Sequence, residues 1–322
     1  MYLTELVERW TAISWRSQIA QCLFQDLQSF AALRRTEPEC FWQASRLKPS
    51  FEVPLRREKN SLSLVYGSAI ALKHAPHGHR SARDLAQHLT EQWSLRCSHP
   101  VPPPVEVRSA VTLRYTETGW LVLHLCDRAL LSWITVAIDH LSAGYPTSPL
   151  MPTAEKTLTL GDRLWPIHHG YARCQTLRRL MDEMDRSSDR PTRPHHTKTH
   201  FGLYENTLKL SSWDVQAEDA IRIDPAEKAL LYELVEVVDH LAEKFAQGHL
   251  NPDRSSPMEI CWLKLGLSLC DRLQQVDRHS HLFDPHQTAV THRQRQNLLR
   301  LTQQILAWIL QTGFGQVPTA EL

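Results

Sequence analysis

The chain is 322 residues long, 42% hydrophobic and 22% charged, with a formal net charge of +1. That length implies two domains and a substantial core, and the composition is ordinary for a soluble globular protein. A charge so near zero argues against a strongly basic nucleic-acid-binding domain and leaves phosphate recognition to a local basic surface. No stretch has the roughly 18 uninterrupted apolar residues of a membrane span, so no membrane insertion is expected. Glu5, Glu8 and Arg9 interrupt the N-terminal pattern, unlike a secretory leader. The seven Cys are scattered, with no Cys-x-x-Cys spacing, which points to reduced thiols and a cytoplasmic location.

Leu3, Leu6, Val7, Trp10, Ile13, Ile19, Leu23, Leu27, Phe30 and Leu33 predict one or two helices with a break near Ser14. From Glu37 to Lys59, Pro38, Pro49 and Pro54 break the pattern, while Phe51, Val53 and Leu55 alternate like a short strand. A helix is predicted over 63–73, ended at Pro76-His-Gly78, and Ser81 caps another from Ala82 to Trp93. Val101-Pro-Pro-Pro-Val105 reads as a stiff extended spacer. Residues 106–115 and 119–125 alternate around Thr116-Glu-Thr-Gly119. They predict a hairpin that buries Val107, Val111, Leu113, Leu121, Leu123 and Leu125. A helix over 128–141 closes the unit. Residues 1–143 therefore read as a small α/β domain in which helices cover a short antiparallel sheet.

Residues 144–163, with Pro146, Pro149, Pro152 and Gly161, have the composition of a linker. Beyond it, helical periodicity marks segments at roughly 167–184, 227–246, 258–275 and 296–312. The last carries Leu298, Leu301, Ile305, Trp308 and Ile309, with Gly313 and Gly315 as its stop. Amphipathic helices of this kind are not stable singly, so residues 164–322 read as an all-α bundle. The fold class is α+β. Residues 185–200, 250–257 and 278–293 read as connections between helices.

In the tail, Glu227-Lys-Ala-Leu-Leu231, the helix ending near Leu273, and Leu298-Leu-Arg-Leu-Thr302 with Ile305-Leu306 and Gly313 follow one another at suitable distances. In that order they resemble the DALR-type anticodon-binding helical domain of arginyl-tRNA synthetases. Tyr171-Ala-Arg-Cys-Gln-Thr-Leu-Arg-Arg179 resembles the stretch around that family's Ala-Arg pair, with Tyr171 where the family usually has His. The N-terminal half is similar to the additional domain of the same enzymes, which contacts the outer corner of tRNA. Phe51 to Leu55, Tyr66 to Leu72, Arg83-Asp-Leu-Ala86, Gly119-Trp-Leu-Val-Leu-His-Leu125 and Ala129-Leu-Leu-Ser-Trp133 carry that likeness, and the first fifty residues diverge from it.

The resemblance stops at the enzyme. Where the nucleotide-binding catalytic domain would stand there are about twenty residues, fewer than the roughly thirty of one strand–helix–strand unit. No His-x-Gly-His signature is present: Pro76-His-Gly-His79 has Pro at its first position and His168-His-Gly-Tyr171 ends in Tyr. A Lys-Met-Ser-Lys-like loop is also missing from the sequence. No aminoacylation and no cofactor are expected. His195, His196 and His200 form the densest His group, but no Cys or catalytic Glu joins them, so a solvated loop is expected and not a metal site.

The candidates for RNA contact are Arg173, Arg178 and Arg179 on the first tail helix, whose apolar face is made by Ile167, Tyr171, Cys174, Leu177 and Met181, with Arg178 and Arg179 on its flanks. Lys198, Arg293, Arg295 and Arg300 extend that patch, and Arg80 and Arg83 offer a second on the N-terminal half. Arg173 directly precedes Cys174, so a packing or salt-bridge role competes there, and Asp182 is spaced to pair with Arg178. The resemblance implies a non-catalytic protein that binds tRNA or other structured RNA. Two readings compete with it. One is a protein-interaction or assembly factor that keeps these folds without RNA, which the ten Trp would suit. The other is an accessory part of a split arginyl-tRNA synthetase with a separate catalytic chain.

Overall fold

The first apolar spacing folds as α1 (Tyr2–Ile13) and α2 (Trp15–Leu33), broken at Ser14 as the sequence predicts. The computed structural model describes residues 2–33, 53–58, 63–75, 81–97, 105–142, 157–188, 223–246, 255–280, 282–284 and 287–319. Four short strands follow the opening helices: β1 (Leu55–Arg57), β2 (Leu64–Ser68), β3 (Val111–Tyr115) and β4 (Leu121–Leu125). They form one antiparallel sheet in the order β1-β2-β4-β3, with Tyr66 opposite Leu123 and Leu123 opposite Leu113. Between the strands lie α3 (Ile70–His74), α4 (Ala82–Cys97) and α5 (Val105–Ala110), and α6 (Asp127–Ser142) follows β4. Ser81 caps α4 as expected, its Oγ accepting from the Asp84 amide at 3.1 Å. The hairpin turns on Gly119, whose φ of +87° is a left-handed conformation; a Cβ there would also stand 2.8 Å from the Ala82 carbonyl carbon.

Two predicted elements are corrected. Most of the helix expected over 63–73 is β2, and only Ile70–His74 is helical. This central strand is buried along its whole length, so its sequence shows no alternation, and a short apolar run of that kind reads equally as helix. The first hairpin strand begins at Val111, not at residue 106, because residues 105–110 turn as α5. There Arg108, 7% exposed, reaches Asp26 of α2 through Nη1 at 2.6 Å and Nη2 at 2.9 Å, and lies over the Trp93 ring. Phe51 lies outside the described residues, and the strand expected around it is seen only as β1.

Among the described residues of the tail the regular elements are all helices: α7 (Thr157–Ser188), α8 (Pro225–Ala246), α9 (Ser255–His279) and α10 (Ala289–Trp308), which ends in a π-helical turn over Ile309–Gly313. Residues 157–163, assigned to the linker by composition, already belong to α7, while 144–156 lie outside the described residues. Likewise α9 and α10 take up both ends of the predicted 278–293 connection. Gly315, at φ +63°, turns the chain out of the last helix and lets the Gln316 amide donate to the Leu310 carbonyl at 2.9 Å.

The core is continuous between the two halves that the sequence separates, so they do not stand as two separately cored domains. α1 packs on α8, and α6 packs on α10. Trp10 of α1 sits edge-on to Trp308 of α10 with ring centroids 4.8 Å apart, and Phe245 of α8 and Trp262 of α9 complete the cluster. A buried polar joint lies beside it. Asp239 of α8 accepts from Ser14 Oγ at 2.8 Å, from the Arg16 amide at 3.1 Å and from the Tyr66 hydroxyl of β2. Burial raises the Asp239 carboxyl above its usual range and holds the Tyr66 hydroxyl protonated, so Tyr66 stays a donor.

Candidate nucleic-acid interface

The periodicity of α7 turns Leu164, Ile167, Cys174, Leu177 and Met181 inward, all fully buried. Its other side lies along α10. Arg178 Nη1 donates to Gln303 Oε1 at 2.6 Å, Gln296 Nε2 donates to Asp182 Oδ1 at 2.9 Å, and His168 pairs with Gln316 at 2.7 Å. Residue numbers rise on α7 as they fall on α10, so the two helices run antiparallel. Arg293, Gln296, Arg300 and Gln303 recur at three- and four-residue steps and share one stripe of α10. Arg178 and Asp182, one turn apart, face that stripe from α7.

Arg179, Arg293 and Arg300 are exposed and have no ion-pair partner among the described residues. Arg178 is partly exposed and bonded to a neutral amide, which leaves its charge uncompensated. The expected Asp182–Arg178 pair does not form, because Asp182 accepts from Gln296 instead. Exposed Arg186 lies one turn beyond Asp182, at the end of the helix pair where Arg293 stands. The sequence list omits Arg186, although its spacing from Asp182 was readable. Gln296 and Gln303 were also missed, since nothing local marks them as ties between helices.

The other arginines in that list do different work. Arg173 forms a two-pronged pair with Asp277 of α9, Nε to Oδ2 and Nη2 to Oδ1 both at 2.9 Å, and those hydrogen bonds raise its pKa. It is a brace between α7 and α9. Arg295 is 11% exposed, with Nε 2.7 Å from Glu227 Oε1 and Nη1 on Gln287, so it belongs to the interior. A small cleft lined by Leu131, Ile134, Leu231 and Leu298 includes this ion pair in its wall, so its two charges offset each other. Arg83 of α4 pairs with Glu117 of the hairpin turn in an exposed contact. Arg80, Lys198, His195, His196 and His200 lie outside the described residues.

Chemistry elsewhere is limited. His240 Nε2 is 3.0 Å from Cys261 Sγ, but burial raises the thiol and lowers the imidazole, so both are held neutral and no thiolate is generated. Among the described residues no group of three His, Cys, Asp or Glu side chains is placed to hold a metal ion. No helix among them is long and apolar enough to cross a membrane. No family model, curated protein or solved structure matches the chain. The likeness to arginyl-tRNA synthetases therefore rests on the residues quoted above alone.

Proposed function

We propose that this chain binds structured RNA, with tRNA the expected class, through the outer face of the α7–α10 pair and without aminoacylating it. The observation that carries the reading is the convergence of Arg178, Arg179, Arg293 and Arg300 on one antiparallel helix pair. Arg178 and Arg179 come from one helix and Arg293 and Arg300 from another more than a hundred residues later, and no carboxylate among the described residues pairs with any of them. Guanidinium forks on a rigid helical surface suit phosphate oxygens, and a local cluster of this kind is compatible with a net charge near zero. Asp182, tied to Gln296 between Arg293 and Arg300, stands within the face and exposed Glu183 follows it, so the contact is selective in position and not a broad basic sheet. The assembly-factor reading draws less support. Leu95, Trp120, Val136 and Val290 are exposed apolar side chains on separate elements.

Affinity purification of the tagged protein from native lysate, with bound RNA sequenced, checks the proposal. Wild type should enrich tRNA or another folded RNA, and the R178A/R179A variant should not. A stoichiometric protein partner with no enriched RNA would leave the assembly-factor reading standing.

A further inference from the structure

Trp165 is an unusual residue to leave in solvent. It sits on α7 immediately before Pro166 and is 54% exposed, whereas most Trp side chains among the described residues are buried. It is not a loose surface ring. Its indole lies against the His169 imidazole one turn later, with centroids 5.1 Å apart and planes only 22° from parallel. The C-terminal segment is held against the same end of α7, His168 pairing with Gln316 at 2.7 Å and with Thr319 at 3.4 Å. The exposed side of α7 continues from Trp165 and His169 through Thr176 to Arg179, about four helical turns in all. One end thus carries an open aromatic step edged by amide and hydroxyl groups, and the other carries the unpaired guanidinium groups.

We propose that Trp165 and His169 form a stacking platform for an unpaired nucleobase of the same RNA whose phosphates meet Arg178 and Arg179. This inference rests on the RNA-binding reading and adds to it. Flat, near-parallel rings with one face in solvent accept a base without a sequence requirement, because every base presents a π-face. A duplex keeps its bases stacked on one another and cannot use the platform, so the pair selects for loops and ends. His168, Gln316 and Thr319 stand where base edges would lie. Continuity favours RNA as the occupant: Arg179 lies on the same exposed line of α7 as Trp165, and exposed Asp162 and Glu183 on that side leave the platform no broad apolar surround for a protein segment.

The experiment uses the full chain with two labelled RNAs, a stem-loop with an unpaired loop and a blunt duplex of the same stem. Wild type, W165A, H169A and R178A/R179A are compared at several salt concentrations, with circular dichroism confirming that each variant is folded. W165A should weaken stem-loop binding about 5- to 150-fold, the range set by loss of one base–aromatic stack. It should leave duplex affinity and the salt slope unchanged, while R178A/R179A should reduce the salt slope on both RNAs. If W165A binds the stem-loop as wild type does, the platform is refuted and the arginine face stands. If W165A weakens both RNAs equally, Trp165 is not reading unpaired bases and the proposal also falls. If wild type binds neither RNA at low salt, the RNA reading itself fails and the platform with it.

Discussion

Replacing Trp10 by Ala probes whether the α/β part and the helical tail are one cooperative structure. Trp10 is 1% exposed and touches Trp308 and Phe245, so the change removes the part of α1 that reaches both α8 and α10. A buried aromatic side chain withdraws about 150–250 Å² from water, which at about 25 cal/mol per Å² is an upper value of about 4–6 kcal/mol. Trp or Phe truncations in cores cost about 3–5 kcal/mol, and we expect about 4 kcal/mol here. That is a large part of the roughly 5–15 kcal/mol that stabilises a typical protein. Urea unfolding followed by far-UV circular dichroism and by Trp fluorescence gives the answer. One transition that moves to lower urea by both probes is expected. An early transition of the N-terminal part, followed by a bundle transition at its wild-type midpoint, would mean that the halves fold independently and would refute the continuous core.

Two further outcomes follow from buried charges. R108M should cost about 3–5 kcal/mol, because Asp26 is fully buried and, among the described residues, keeps only partly exposed Arg96 as a charged partner at 2.9 Å. The double variant D26L/R108M should recover much of that loss in the same urea assay. Burial and Lys244 lower the His240 pKa below its usual 6.5, so the unfolded chain takes up its proton first as pH falls. Stability from this site is therefore full above about pH 6.5 and is lost as pH falls toward the folded pKa. H240Q should flatten the stability–pH curve just below about pH 6.5, and an unchanged slope there would contradict the assignment.

The helices were legible because their apolar residues recur at three- and four-residue steps. Leu230, Leu234, Val238 and Leu241 announce α8, and Leu298, Leu301, Ile305 and Trp308 announce α10, without reference to any partner. Ser14 and Gly119 were legible as breaks because a cap residue and a glycine have local reasons to stand there. β2 was not legible, since a strand covered on both faces has no period to show. α5 was hidden for a related cause: the residue that fixes it, Arg108, finds Asp26 more than eighty positions away. The candidate site divides along the same line. Sequence spacing correctly put Arg178 and Arg179 off the apolar face of α7, but only tertiary structure shows Arg173 taken by Asp277 and Arg295 by Glu227. Arg300 joins Arg178 through a packing of α7 on α10 that no local pattern encodes. The continuous core was missed because a proline-rich composition between two patterned regions looks the same whether the regions dock or not.

The central claim is that the arginine face of α7 and α10 holds RNA phosphates. Its most direct measurement is the dissociation constant of the purified chain for purified tRNA at graded salt, compared with the variant R178A/R179A/R293A/R300A. Wild-type affinity should fall steeply as salt rises, and the variant should bind far more weakly, its log–log salt slope reduced by about one for each arginine that meets a phosphate. Equal affinity and equal slope for the two proteins, or no tRNA binding by wild type at low salt, would contradict it.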